Sequence, residues 1–252
     1  MKRNETSWEA VSNWYDDLVG EKGHYYHEQV IFPALAPLLA LNEKSRLLDL
    51  ACGQGILSRV IPEKTTYLGI DAAASLIRAA QSHNKKKNAT FLPADLTEPL
   101  VLKEEPFTHA TIILALQNIA KPEMVLNLAA KALVKGGKLL IVLNHPCFRI
   151  PRQSSWGVDP AKKLQYRRID SYLSPMQIPI QAHPGAKSSQ TTYSFHLPLS
   201  HYTKMLRDAG FQMMEMQEWT SNKTSQGAAA KMENRSRKEF PLFLAILATS
   251  MG

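Results

Sequence analysis

Arg46-Leu47-Leu48-Asp49-Leu50-Ala51-Cys52-Gly53-Gln54-Gly55 is the stretch that decides the fold. Its first six residues form a short apolar run that reads as a buried strand. Two glycines then interrupt it, and a helical stretch follows to about Ile61. Strand, glycine loop and helix in that order form the opening unit of a parallel α/β sheet. Gly53 and Gly55 let the backbone approach a ligand with no Cβ in the way, and the helix that follows offers unpaired N–H groups at its start.

The alternation continues downstream. Thr66–Asp71 reads as a second strand followed by a helix from about Ala73 to Ser82, and a third strand starts at Ala89 and is followed by Asp95. A fourth strand is expected at about His109 to Leu116. A helix over Pro122 to Val134 comes next, ended by Gly136-Gly137, and Lys138–Leu143 is the fifth strand. Strands alternating with helices of this length predict a doubly wound, mostly parallel sheet. Residues 145–197 lose this regularity and read as an insertion rich in Pro, Ser, Gln and basic side chains, which in a compact domain is usually a lid or binding loop. A helix near Leu199 to Ala209, a strand from Gly210 to Trp219, a polar basic segment to Lys238 and a last strand from Glu239 complete the chain. Before the core, Trp8, Trp14, Tyr15, Leu18 and Val19, then His24 to Leu41 after Gly23, follow helical spacing. We expect a single domain with an N-terminal helical cap (1–44), a cofactor-binding core (45–144), the insertion on the substrate side (145–197) and a C-terminal helix and strand hairpin (198–252).

Composition narrows the class. With 44% hydrophobic and 21% charged residues among 252, the chain reads as an ordinary folded protein. No apolar run is long enough to span a membrane and no signal-peptide pattern opens the sequence, so membrane insertion is not expected and a cytoplasmic location is. Cys52 and Cys147 have no zinc-ligand spacing, and no metal is expected. The net charge of +8 gathers in Lys85-Lys86-Lys87, Lys162-Lys163, Arg167-Arg168 and Lys231 to Lys238. Such stretches attract anions, so nucleic acid or an acidic carrier protein is a secondary expectation for a partner. The aromatic platforms on which bases stack are not interleaved with them, which leaves a small-molecule acceptor as the primary one.

In open α/β sheets ligands bind beyond the carboxyl ends of the strands. Asp49 lies at the end of the first strand, where it can accept from loop amides or an ammonium group. Asp71, 22 residues further on, can accept both hydroxyls of a ribose. Asp95 and Leu96 supply an acceptor for an exocyclic amine and an apolar edge for a purine. A nicotinamide dehydrogenase would share the glycines and the acidic residue, but its fingerprint calls for a third small residue where Ser58 stands.

From Arg46 to Leu143 the sequence resembles the class I S-adenosylmethionine (SAM)-dependent methyltransferases, whose first motif matches Leu48-Asp-Leu-Ala-Cys-Gly-Gln-Gly55. The resemblance implies a seven-stranded sheet with an antiparallel last strand. It implies SAM as cofactor, with Ala51, Gly53 and Gly55 facing its methionine part, Asp71 and Ala72 at the ribose, Asp95 and Leu96 at the adenine, and Leu114 with the residues after it on the methionine and substrate side. Two positions depart from the family pattern: Thr108 where an acidic residue is frequent, and Gln117 where a histidine is. The parts beyond Leu143 resemble a bacterial subgroup of these enzymes.

The sulfonium carries its own leaving group, so the protein chiefly has to align a nucleophile and exclude water. Should a base be needed, His145, just past the fifth strand, and His24, with His27 near it, are the candidates. Tyr26, with Tyr25, could close over the sulfonium, because aromatic faces attract such cations. His183 and Arg149 lie in the insertion and could shape an acceptor pocket. The functions that remain open are a methyltransferase acting on a small molecule, one acting on RNA or protein, and a SAM-binding protein without turnover.

Overall fold

The computed structural model describes residues 8–12, 20, 23–181 and 191–252. Trp14, Tyr15, Leu18, Val19 and His183 lie outside these described residues.

Seven strands form the central sheet: β1 (Arg46–Leu50), β2 (Thr66–Asp71), β3 (Ala89–Pro93), β4 (Phe107–Ile113), β5 (Leu133–Asn144), β10 (Phe211–Trp219) and β11 (Phe243–Ser250). Their spatial order is β10-β11-β5-β4-β1-β2-β3. The pairs among β1 to β5 are parallel, and β11 runs antiparallel between β5 and β10. This is the doubly wound sheet with an antiparallel last strand that was expected. Leu47, Leu48, Leu50 and Ile112 have no exposed surface, as strands covered on both faces require. β10, at one edge, carries a bulge between Met213 and Glu215 and leaves Met213, Met214 and Met216 exposed.

Helices cover the sheet: α1 (Phe32–Leu39), α2 (Ile56–Val60), α3 (Ala74–His83), α4 (Pro122–Ala132), α5 (Leu199–Asp208) and α6 (Ala230–Glu239). Two apolar clusters separate the faces, one around Leu48, Ile70, Ile112 and Leu126, the other around Ile31, Leu35, Leu47 and Tyr67.

The insertion is more ordered than its composition suggests. It holds two hairpins outside the main sheet, β6 (Ser154–Asp159) with β7 (Leu164–Ile169), and β8 (Met176–Gln181) with β9 (Thr191–His196). Gly136-Gly137 do not end a helix, because α4 stops at Ala132 and β5 already pairs with β4 from Leu133. The basic segment before the last strand contains α6, a helix that buries only Ser236.

A π-turn, His27–Ile31, leads into α1 and packs on the start of α2; a Cβ on Gly23 would stand 2.8 Å from Ile56 Cδ1. His27 is 8% exposed, stacks on Phe32 at 5.6 Å, and among the described residues its Nδ1 has no hydrogen-bond partner. Burial, helped by the nearby His24, pulls its pKa down to about 4. A lowered pKa means that the fold prefers the neutral ring. The stability this confers is present above pH 6.5 and is lost as pH falls from there toward 4. His27→Phe is expected to keep the stack and remove about 2 kcal/mol of acid lability, read as a smaller drop in urea midpoint between pH 6.5 and 4.5. An unchanged drop would mean that His27 is not the group titrating.

Candidate active site

The carboxyl ends of β3, β2, β1, β4 and β5 line one edge of the sheet in that order, and the order reverses between β1 and β4. That reversal point is where α/β sheets leave a crevice for ligands. Two ordinary residues adopt left-handed backbone on either side of it, Ala51 (φ 58°) after β1 and Leu114 (φ 53°) after β4. Such conformations cost about 1 kcal/mol or more for a non-glycine, and they cluster at working sites. Gly53 (φ 56°) and Gly55 (φ 70°) continue the same loop. Gly55 is packed so closely that a Cβ would lie 2.5 Å from Phe91 Cε1. Ser58 is fully buried and its hydroxyl donates to the Gly55 carbonyl at 2.7 Å, so the third position of a dinucleotide fingerprint here serves to fasten the loop.

Asp71 binds the loop to its own strand end. Its Oδ2 accepts from the Gly53 amide and its Oδ1 from the Ala73 amide, each at 2.8 Å, while Ala72 between them is exposed. Burial raises its pKa and those two amides oppose the rise. Each oxygen keeps a second lone pair, enough to accept a pair of hydroxyls. Asp95 is exposed; its Oδ1 accepts from the amide and the hydroxyl of Thr97, and among the described residues its Oδ2 accepts nothing. Leu96 is a core residue, 5% exposed.

Asp49 sits deeper than its neighbours. It is 3% exposed, with Oδ2 accepting from the Tyr67 hydroxyl at 2.6 Å and Oδ1 from the Thr111 hydroxyl at 2.8 Å. Burial lifts its pKa to about 6 despite both hydrogen bonds. After β4, the carbonyl of left-handed Leu114 accepts from the Gln117 side-chain amide at 2.8 Å. Among the described residues Gln117 Oε1 is buried without a partner, and so is Thr192 Oγ1 on β9, the strand whose Ser194 reaches the Gln117 carbonyl. The sequence reading registered Gln117 as a departure from a pattern and did not foresee β9 packing against it.

His145 is 1% exposed and both ring nitrogens are engaged. The Cys147 amide donates to Nδ1 at 3.1 Å, which leaves the proton on Nε2 to be donated to Glu218 Oε1 at 2.7 Å. Burial lowers its pKa and Glu218 opposes that. In this arrangement His145 has no free lone pair for a substrate. It fixes a turn instead: the amides of Phe148 and Arg149 both donate to its carbonyl.

Residues 48–141 match the family model described as a methyltransferase domain. Those residues carry a methyltransferase domain. Solved structures share its fold. An S-adenosylmethionine-dependent methyltransferase from Mesorhizobium loti is 24% identical, with a TM-score of 0.68 over 91% of this chain and 100% of that one. A chain from Haloferax volcanii solved in complex with the Trm112 methyltransferase activator is 15% identical, with a TM-score of 0.67 over 99% and 98%. The glycopeptide N-methyltransferase MtfA complexed with sinefungin is 14% identical, with a TM-score of 0.59 over 86% and 91%. A search of curated proteins returns no match.

In this methyltransferase the segment beginning at Gly23 overlies the first helix after the glycine loop. His24 is half-buried, and its Nδ1 stands 3.5 Å from the Tyr26 amide. Burial, then the charge of Lys223, lowers its pKa. The faces of Tyr25 and Tyr26 already hold a cation, with Lys223 Nζ at 4.5 Å and 5.2 Å from the two ring centres. The Tyr26 hydroxyl bonds with Ser221 at 3.1 Å. Beside Tyr26, at the end of β5, lies a cavity of about 210 Å³ walled by Phe148, Arg149, Trp156, Arg167 and Phe240. Among the described residues no group of three or more His, Cys, Asp or Glu could hold a metal ion, and no helix is long and apolar enough to cross a membrane.

Proposed function

We propose that the enzyme transfers a methyl group from SAM to a small-molecule acceptor bound at the carboxyl edge beside β4 and β5. The observation that carries this reading is the left-handed loop Ala51–Gly55 fastened to the Asp71 carboxylate at the carboxyl edge of the sheet, and past the end of β5 a ring-lined cavity has small-molecule size. The residues present fit the cofactor. A Cβ-free backbone at Gly53 and Gly55 receives the methionine part. Asp71 accepts from the ribose hydroxyls beside exposed Ala72, Asp95 Oδ2 accepts from the adenine amine over Leu96, and Leu114 borders the reacting end. When bound, SAM supplies an activated methyl carbon with its leaving group attached. The chain's own residues therefore align, enclose and desolvate.

His145 is best placed as a positioning residue, acting through the turn that carries Phe148 and Arg149. His24 remains the candidate to receive a proton, with Tyr26 closing beside it if Lys223 withdraws. Binding of S-adenosylhomocysteine (SAH), followed by calorimetry, tests the reading: micromolar affinity is expected, reduced at least 100-fold by Asp71→Ala. Affinity for NADH in its place would sink it.

A second reading, an acidic macromolecule as acceptor or partner, is favoured by one observation. The two basic stretches meet, because the Ser236 hydroxyl on α6 donates to the Gln165 carbonyl on β7 at 2.9 Å. Exposed Lys162, Lys163, Arg168, Lys231, Arg235 and Lys238 thus share one surface. Turnover on a macromolecule that falls steeply with salt would favour this reading over the first.

A further inference from the structure

The cavity at the end of β5 has a wall chemistry that specifies more than its size. Three rings meet edge-on around it: Phe148 and Phe240 at 5.6 Å, and Trp156 and Phe240 at 5.5 Å. A wall of such rings offers a flat ring a matching surface, because edge and face quadrupoles complement each other. Two guanidinium groups share the same wall. Arg167 lies over Trp156 at 5.2 Å and is held by the Phe148 carbonyl and the Ser154 hydroxyl, each at 2.7 Å. The Arg149 guanidinium lies 6.0 Å from the Phe243 ring centre and, among the described residues, makes no hydrogen bond or ion pair.

Among the described residues no carboxylate lines this cavity. Glu218 is bound to His145, and Asp170 and Glu233 are paired with Arg168 and Arg237. Two cations facing one half-enclosed space without a counter-ion repel each other and lose hydration, a cost that an anion between them removes. Burial lowers the pKa of both; the charge of Arg149 lowers that of Arg167 further, and at Arg149 Tyr26 opposes the drop. Guanidinium groups suit a planar carboxylate or a phosphate through two parallel N–H donors.

We propose that this cavity is the acceptor subsite of the methyltransferase and that it selects a flat ring bearing a carboxylate or phosphate, ring against Phe148, Trp156 and Phe240, anion on Arg149 with Arg167. The proposal rests on the methyl-transfer reading above and names its substrate class. It also gives the buried His145–Glu218 pair a task. The His145 carbonyl and Nδ1 hold the turn from Pro146 to Arg149, and so set the floor of this subsite.

The test uses the full-length protein saturated with SAH, titrated by calorimetry with 4-hydroxybenzoate, phenyl phosphate, their neutral counterpart 4-hydroxybenzyl alcohol and the cation tyramine. The anionic rings are expected to bind at least tenfold more tightly than the alcohol, and tyramine to show no binding. The stronger of the two anions identifies the group. Arg149→Gln is expected to remove at least tenfold of the anion's affinity while SAH binding stays at the wild-type value. Equal affinity for anion and alcohol overturns the proposal in the unmodified protein, whatever the variant does. So does failure of every ring to bind protein that still binds SAH, which leaves methyl transfer itself standing. Failure of SAH to bind is a separate result, and it removes the methyl-transfer reading and with it the acceptor role.

Discussion

Asp49→Asn is expected to raise the stability of the protein at pH 7 by about 2–3 kcal/mol, with the gain vanishing near pH 4. The carboxylate is 3% exposed, and burial raises its pKa to about 6 from an ordinary 3.8. A raised pKa means that the folded chain holds this proton more tightly than the unfolded one. The stability so gained is fully present below about pH 4 and is lost as pH rises through 6, so at neutral pH the fold carries a buried charge against its preference. Asparagine keeps the shape without the charge. Its carbonyl can accept from the Tyr67 or Thr111 hydroxyl, and its amide can donate to the other. Denaturant unfolding at pH 4 and pH 7 checks this, and a variant less stable than wild type at pH 7 would refute it. The charge is retained, on our reading, because it faces the cofactor site from below. The stabilised variant should therefore bind SAH more weakly, an exchange of stability for function common at active sites.

Gly55→Ala is expected to cost about 3 kcal/mol of stability and to weaken SAH binding with it. Two separate penalties add. The backbone at φ 70° is strained for any residue with a side chain, and the new methyl would stand 2.5 Å from Phe91 Cε1 and 3.1 Å from Ala80 Cβ. Gly136 separates the two. It has a similar φ of 78°, but a Cβ there meets nothing within 4 Å, so Gly136→Ala should lose only about 1 kcal/mol. Adding Phe91→Leu to Gly55→Ala should recover the steric part and leave the backbone part, which a double-mutant cycle reads directly. If the Gly55 and Gly136 variants lose the same amount, close packing against Phe91 is not what fixes the loop.

The parallel core was legible because its strands are buried on both faces and therefore spell continuous apolar runs: Leu47 to Leu50, Leu68 to Ile70 and Leu139 to Leu143 leave little else to read. The glycine loop and Asp71 were legible from spacing, since strand ends lie at fixed distances in this architecture. The hairpins of the insertion were not. β6 and β7 carry only a two-residue apolar alternation each, Trp156 with Val158 and Leu164 with Tyr166, on an exposed face and among Ser, Gly, Gln and Arg, which is too short to announce a strand. α6 buries one serine and has no apolar stripe to betray it. His145 shows a different limit. Its place beside the fifth strand was visible, but the partner that occupies it, Glu218, lies 73 residues away on β10, and only the antiparallel return of β11 brings the two together.

The bulge in β10 bears on how the protein avoids its own kind. A sheet edge offers unpaired N–H and C=O groups to any passing strand, and three solvent-facing methionines would reward the encounter. The extra residue at Met214 divides that edge into Phe211–Met213 and Glu215–Trp219. An incoming strand can follow either piece in register but not both, and Glu215 and Glu218 add like charges to any second copy presenting the same edge. Templated growth of one sheet onto another is thereby confined to short segments, which lets a strand rich in exposed methionine stay at the rim of the sheet.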